Sequence, residues 1–393
     1  DSQADPYKIS NASELQAMED DLSANYTLTS DIDASGSNNW NNGKGFEPIG
    51  GTYGGSTVSP FNGSLDGASH EIIGLTINRG TENEVGLFGG VSEAKLTNLS
   101  LRDITVDGSD KVGGLVGKDG YKTVIRNAVI SGSVSGTNSV GGLVGQTYAG
   151  RIQEAESSGT VTGESAVGGL VGRSLASDSL QTTIGNAIST ASVTGTNPVG
   201  GLVGRNSGKI ENVTAYGSVE GDGVVGGLVG DNPDGTINKG KASGEITGSP
   251  FKAGGLVGLN NGMIQTALAS GDVKGSTSTG GLVGDNRGPI KNASATGNVN
   301  GTDRVGGLVG ASSLSENPDT QITIAKSTGN VAGVDLVGGV VGVTGENTTV
   351  QNVIAAGTVT GSGSVGGVVG ENGGTTQSAV AVGSVAGDES SPV

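Results

Sequence analysis

The sequence contains no cysteine, so it can form neither a disulfide framework nor a thiolate metal site, and the redox compartment stays open. Six tyrosines, four phenylalanines and one tryptophan are few for a conventional core. The interior must therefore be built from small aliphatic residues. No apolar run approaches the ~20 residues that a membrane-spanning helix needs, so we expect no membrane insertion.

Basic side chains are also scarce. The 21 lysines and arginines face 38 aspartates and glutamates, which gives a formal net charge of −17. This balance argues against a nucleic-acid backbone or an anionic membrane as the main partner, and it suits a saline or extracellular setting. Because the chain begins at Asp1 and not at methionine, we expect a trimmed segment, such as one that has lost a secretory signal.

Glycine is the abundant residue. Its 77 copies are about a fifth of the chain, far above the usual ~7%. There are only nine prolines and no strict Gly-X-Y period, which excludes collagen. Valine, isoleucine and leucine recur at fixed places, which argues against disorder.

A six-residue unit, VGGLVG or a close variant of it, organises the chain. Its eleven copies are separated by 26 to 32 residues, a period that marks a repeat architecture. The copies begin at Val85, Val112, Val140, Val167, Val199, Val225, Ala253, Thr279, Val305, Val337 and Val365.

Each repeat contains two further aliphatic positions that are nine residues apart. The pairs are Ile125 and Val134, Ile152 and Val161, Ile184 and Val193, Ile210 and Val219, Ile237 and Ile246, Ile264 and Val273, Ile290 and Val299, Ile322 and Val331, and Val350 and Val359. Three short strands per repeat fit one coil of a solenoid whose equivalent positions stack ~4.8 Å apart. So much glycine and valine would make a poor helix.

The expected fold class is therefore all-β: a parallel β-helix, or β-solenoid, of about eleven coils with an N-terminal helix-containing cap. Valine should stack on valine and isoleucine on isoleucine. Glycine should lie at turns with positive φ or where backbones approach closely. The two longest repeats should contain loops at 173–183 and 311–321.

Residues 1–80 lack the repeat and are expected to form the cap and irregular first strands, whereas residues 81–393 form the solenoid. Ser13 is a plausible N-cap for a short helix, and the alternation of Tyr26, Leu28 and Ile32 with polar residues predicts a strand. Residues 34–56, which include Trp40, have the composition of a loop. A cap would prevent the unpaired end of the array from recruiting another chain.

A column of asparagines lies two residues after the middle aliphatic position. We expect an internal ladder of stacked amides with a structural role. Its members are Asn98, Asn127, Asn186, Asn212, Asn292 and Asn352.

These repeats resemble the GLUG motif. The resemblance extends to the flanking Pro48-Ile49-Gly50, to the FNGSLDG segment at 61–67 and to VGLFG at 85–89. It implies a large secreted bacterial or archaeal protein, since GLUG-like arrays occur in adhesin-like proteins and in parts of IgA peptidases. It supplies no catalytic residues, and no peptidase segment is recognisable in this chain.

Few residues are candidates for chemistry. His70 is the only histidine and has no GxSxG serine around it, so a surface role is favoured. Calcium is left open at Asp31/Asp33, Asp107/Asp110 or Asp231/Asp234, although no spacing matches an EF-hand. The sequence assigns no catalytic residue and no cofactor, and the metal status is unknown.

The outward positions beside the third aliphatic column are mostly hydroxyls and amides, typical of a solvated face. They are Ser133/Ser135, Thr160/Thr162, Ser192/Thr194, Ser218/Glu220, Glu245/Thr247, Asp272/Lys274, Asn298/Asn300 and Thr358/Thr360. A regular hydroxyl array could also order ice, but Glu220, Glu245, Asp272 and Lys274 interrupt it. Solenoid polysaccharide lyases and glycosidases place acids and bases on such a face, and that is the alternative function.

The leading hypothesis is a secreted or cell-surface, non-catalytic module that acts as an adhesin-like stalk and presents an extended binding face. The expected partners are a glycan, a cell-surface protein or another copy of the chain. The last partner follows from the C-terminal segment, because no capping helix follows Val385. The array would then continue in a longer protein or dock end to end.

Overall fold

The computed structural model describes residues 5–53, 56–57, 59–177, 179–312 and 320–387. The chain divides into two compact units, the first formed by residues 1–194 and 202–204 and the second by 195–201 and 205–393. In both units, successive repeats pair as parallel strands, one coil per copy of the motif. The predicted parallel β-solenoid is therefore confirmed.

The cap begins the first unit and contains the predicted short helix. The α-helix Ala12–Gln16 is followed by a 3₁₀ turn at Ala17–Asp20, and both bury apolar residues inward. Its N-cap is Asn11, whose side chain accepts a hydrogen bond from the Glu14 amide, so the prediction of Ser13 was wrong. Asparagine is as good a cap as serine, and the spacing alone did not separate them.

The cap strands continue the solenoid core towards the N-terminus. Three phenylalanines, Phe46, Phe61 and Phe88, are fully buried and fill the first coils. Residues 35–43 form 3₁₀ turns instead of the predicted loop. The cap strands are Tyr7–Ile9, Asn25–Leu28, Ile32–Asp33, Thr52–Tyr53, Ser56–Thr57, Ser64–Asp66, Glu71–Ile73 and Thr76–Asn78.

In the first unit, the second and third segments of three consecutive coils merge into one long strand instead of two short ones. Gly132 and Gly159 are paired in register at positive φ, whereas the register with the preceding coil shifts between Leu101 and Ile104. The strands of these coils are Phe88–Val91, Lys95–Asp107, Asp110–Gly113, Val116–Asp119, Val124–Ser135, Asn138–Gly141, Val144–Tyr148, Arg151–Thr162, Ser165–Gly168 and Val171–Leu175. The coil that follows has three short strands, Thr183–Gly185, Ile188–Ser189 and Ser192–Thr194.

In the second unit, the predicted three short segments recur in each coil. The strand Val203–Asn206 contributes residues to both units. In each coil the first segment consists of two short strands, separated by the middle residues of the motif. The strands are Val199–Gly200, which precedes Val203–Asn206, then Val224–Gly226 and Val229–Asn232, Lys252–Gly254 and Val257–Asn260, Ser278–Gly280 and Val283–Asn286, Val305–Gly306 and Val309–Ser312, Val337–Gly338 and Val341–Thr344, and Val365–Gly366 and Val369–Asn372. The second segments are Lys209–Ala215, Thr236–Ala242, Met263–Ala269, Ile290–Ala295, Thr320–Ser327, Thr348–Ala355 and Thr375–Ala381. The third segments are Val219–Gly221, Ile246–Gly248, Val273–Lys274, Val299–Asn300, Val331–Ala332, Val359–Gly361 and Val385–Gly387.

The core consists of the aliphatic ladders that the nine-residue spacing predicted. Ile125 pairs with Ile152, and Val134 pairs with Val161 in the first unit. The same positions pair through the second unit, from Ile210 to Val350 and from Val219 to Val359. These side chains are at most 2% exposed, so burial of apolar surface is the main stabilising contribution.

The glycines of the motif lie where one part of the backbone approaches another. A Cβ on Gly226 would run into the carbonyl oxygen of Val229, and one on Gly227 would run into that of Gly255 in the next coil. Neither glycine has a positive φ. Of the two predicted reasons for glycine, close approach therefore explains these positions.

The predicted loop at 173–183 is partly ordered. Strand Val171–Leu175 extends into it, and Ala176 bridges Gln181 in antiparallel orientation. Most of the other predicted loop, residues 313–319, lies outside the described residues. No helix in the described part of the chain is long and apolar enough to span a membrane.

Candidate functional site

The predicted display face lies on the outside of the third segments. Its side chains point away from the buried ladder and are exposed or half-buried. In the first unit, Ser133 pairs in register with Thr160, and Thr160 pairs with Ser192. The Thr160 hydroxyl lies 3.2 Å from the Ser133 hydroxyl, within hydrogen-bond distance. Strand pairing thus fixes polar groups in straight columns.

The predicted asparagine column is real, but it lies on the surface. Asn98 is half-buried, the other five predicted members are exposed, and all six have φ between 49° and 55°. Asparagine tolerates this left-handed conformation better than most residues, which explains its recurrence. The Asn127 amide donates to the Asn98 side-chain oxygen at 2.9 Å. The expectation of an internal ladder was wrong, because the chain turns outward at this bend.

A different asparagine column is buried, and the sequence reasoning missed it. Asn206, Asn232, Asn260 and Asn286 are fully buried in the second unit, and each amide nitrogen of the first three donates to the next side-chain oxygen at 2.8 Å. Each of the four also donates to a glycine carbonyl in its own turn. The available signal was an asparagine two residues after VGGLVG.

In the first unit, the equivalent position carries Asp119, Thr147 and Ser174, all buried. The Thr147 hydroxyl donates to the Asp119 carboxylate at 2.7 Å. Burial raises the pKa of Asp119, and this hydrogen bond opposes the rise. The column thus joins neighbouring turns by polar contacts in both units.

An open groove of about 550 Å³ runs across the second segments of six coils of the second unit. Lysine, amide, hydroxyl and aliphatic side chains line it. The outward columns on its two sides are Asn212, Lys239, Thr266, Asn292, Ile324 and Asn352 on one, and Lys241, Leu268, Ser294, Lys326 and Ile354 on the other.

His70 lies on the surface, as predicted, and contacts one of the candidate calcium residues. Its Nδ1 is 3.2 Å from Asp31 Oδ1, which also accepts from the Glu71 amide at 3.0 Å. The hydrogen bond from the Glu71 amide is the main contact that holds the pKa of Asp31 below its usual value, and the His70 contact adds to it. Asp33 accepts from the Ser35 amide, so both aspartates serve as turn acceptors.

In the other two candidate calcium pairs, three of the four aspartates are engaged within the protein, and Asp234 is exposed. Asp107 accepts from the Ser135 hydroxyl at 2.6 Å, and Asp110 pairs with Lys111 at 2.6 Å. Asp231 pairs with Arg205 at 3.4 Å. Across the described residues, no three histidine, aspartate or glutamate side chains group closely enough to hold a metal ion. Calcium binding stays a prediction.

One carboxylate of the cap has a strongly shifted pKa. Burial and, to a lesser degree, the nearby Glu47 raise the pKa of Glu19 to about 7, although Arg79 opposes the shift. Glu19 also accepts a hydrogen bond from the Gln16 amide at 2.9 Å. The sequence showed only an acidic run at this place.

A family model for the GLUG motif matches residues 136–162. These residues make one coil, from the end of one third segment to the end of the next. The chain carries the GLUG motif. The resemblance drawn from VGGLVG is therefore confirmed, and the matched unit corresponds to a full turn of the solenoid with its leucine, Leu143, buried.

Two named proteins are similar in sequence to part of this chain. The chain is 40% identical over 139 residues to Halomucin of Haloquadratum walsbyi. The aligned region covers 34% of this chain and 2% of that protein. It is 37% identical over 120 residues to a proposed Gly-rich membrane protein of Evansella cellulosilytica, which covers 29% and 13%. The chain thus spans only a small part of either relative.

Among solved structures, a proposed immunoglobulin A1 protease from Bacteroides ovatus is similar with a TM-score of 0.47 and 22% identity. The similar region covers 70% of this chain and 78% of that one.

Proposed function

We propose that this chain is a non-catalytic module of an extracellular or cell-surface protein, and that it binds glycans or surface proteins in an adhesin-like manner. The observation that carries the proposal is the register of the exposed columns. Parallel pairing fixes each exposed side chain at the strand spacing of ~4.8 Å from its equivalent in the next coil. Such an array suits a repetitive ligand, because many weak contacts add together.

The relatives and the composition support a surface location. One similar protein is named Halomucin and the other is named as a Gly-rich membrane protein, and both names are compatible with a surface location. The net charge of −17 suits a protein that must stay soluble outside the cell. We propose that neither a cofactor nor calcium is needed for binding.

The test is retention of the full chain on a panel of immobilised neutral and acidic polysaccharides and on intact cells, with calcium and with a chelator. In the same samples, released reducing ends and unsaturated products are measured. We expect retention of at least one glycan or cell type, no products, and no effect of the chelator.

The heat-unfolded chain is the control, since its columns no longer exist. Turnover of any glycan would replace the proposal by the alternative of a polysaccharide lyase or glycosidase. Absence of retention on every surface would also refute it.

A further inference from the structure

The groove of the second unit owes its depth to the residues at its floor. Each second segment bends at the left-handed residue, and the next residue faces inward. In four consecutive coils that residue is Gly240, Ala267, Ala293 or Ala325, whereas Val213 and Val353 occupy the coils on either side. Small floor residues between two outward columns leave a trough that follows the direction of stacking.

The groove is cationic in an acidic chain. Among the described residues that line it, the charged side chains are Lys239, Lys241 and Lys326. None of the three forms an ion pair within the described part of the chain. The nearby Glu211 is engaged by Lys209 at 2.6 Å and by the Asn238 amide at 3.3 Å, and Lys239 also attracts it electrostatically. Because none of the three ammonium groups is held in an ion pair, all three can contact an anionic ligand.

The lysines are spaced along the groove. Lys241 and Lys326 belong to the same outward column and are separated by three strand pairings, through Leu268 and Ser294. At the spacing of parallel strands this separation is roughly 14 Å. A ligand that meets both must be extended and must bear more than one negative charge.

The groove also exposes aliphatic surface at some cost. Ile324 is 53% exposed and has a φ of 53°, a conformation that is unfavourable for a β-branched residue. Ile354 is 42% exposed and is the register neighbour of Lys326. A residue that is both strained and exposed does not stabilise the fold, which points to a role in contacting a ligand.

We propose that this groove binds an acidic polysaccharide, with the lysines on its carboxylates, the asparagine amides on its hydroxyls and the isoleucines on the apolar faces of its sugar rings. The proposal rests on the function proposed above and names the ligand class. An extended peptide commonly adds to a sheet edge. Here the strands of the groove are already paired with both neighbouring coils. Nucleic acid is disfavoured because the described residues that line the groove include no aromatic side chain on which bases could stack.

The experiment measures the affinity of the full chain for polygalacturonate, with dextran, polyglutamate and single-stranded DNA as comparison ligands. The test variant is K239Q/K241Q/K326Q. The matched control is K8Q/K95Q/K122Q, which removes the same charge from exposed lysines outside the groove and outside the third segments. We expect the groove variant to bind polygalacturonate at least ~10-fold more weakly, and the control to change less than ~2-fold.

A second variant, I324N, separates binding from folding. Asparagine occupies the same position in Asn292 and Asn352, so the substitution should relieve backbone strain and raise the unfolding temperature. It should weaken polygalacturonate binding at the same time, because it removes the apolar contact. A purely structural role for Ile324 would not move binding.

Equal loss of affinity in both triple variants would refute the groove and leave a general charge effect. Preferential binding of polyglutamate or DNA through the same lysines would replace the polysaccharide by another class of ligand. If the chain bound only neutral glycans or cells, this inference would fail and the proposed surface function would stand.

Discussion

At the scale of single residues, the motif is defined by two glycines with no room for a side chain. Gly226 approaches the Val229 carbonyl oxygen and the Gly258 amide of the next coil. The buried Leu228 and Val229 then fill the interior that this close approach creates. The recurrence of Gly-Gly before Leu-Val is thus a steric requirement of the coil.

The substitution G226A tests this requirement. The added Cβ must displace backbone that is paired on both sides. We therefore expect the free energy of unfolding to fall by at least about 1–3 kcal/mol. G36A is the matched control, because a Cβ there meets nothing within 4 Å. The measurement is urea unfolding followed by circular dichroism. Equal stability of the two variants would show that the coil relaxes around the methyl group.

At the scale of the element, the turns after the first segments are joined by the buried amides. The amides of Asn206, Asn232 and Asn260 each give one hydrogen bond to their own turn and one to the next coil. Because a buried polar group without a partner is costly, the column favours one register between neighbouring turns.

The substitution N232A interrupts this column. It removes the acceptor of the Asn206 amide and leaves the Gly235 carbonyl without its donor. We expect a loss of about 2–4 kcal/mol, as several buried groups lose partners. N300A, on an exposed third segment, should change stability by less than about 0.5 kcal/mol. Thermal unfolding of both variants decides whether the column is structural or merely tolerated.

Periodicity in the sequence predicted the strands and their ladders correctly. It did not predict whether a side chain near a turn faces the core or the solvent. The aliphatic ladders followed from the nine-residue spacing, and the exposed hydroxyl columns followed from alternation around Val134 and Val161. The spacing could not show that Asn127 bends outward while Asn232 faces inward, because both are asparagines near a turn. The lysine groove was also missed, since Lys241 and Lys326 come from coils that are 85 residues apart in sequence.

At the scale of the whole molecule, charge is the dominant property. The net charge of −17 is spread over a chain in which only 15% of residues are charged. Several cations are already paired, such as Arg126 with Glu154 at 3.1 Å and Lys252 with Asp285 at 2.6 Å. The remaining carboxylates repel one another, and salt should screen that repulsion.

We therefore expect the unfolding temperature to rise as sodium chloride is increased from about 0.01 to 1 M, over which the screening length falls from ~30 to ~3 Å. A neutral osmolyte at matched osmolality controls for general exclusion effects, and calorimetry measures both series. A flat response to salt would mean that local ion pairs balance the surplus of negative charge.

The residues with positive φ at the bend of each second segment, such as Asn292 and Ile324, have a consequence for how such proteins diversify. The backbone at this bend is set by the paired strands on either side, yet the position holds asparagine, glutamate, lysine, threonine, isoleucine or serine in different coils. One site per coil can therefore change its chemistry by point substitution while the scaffold stays intact. Proteins with this architecture can therefore change the ligand they recognise through single substitutions in individual coils, without any change in the backbone.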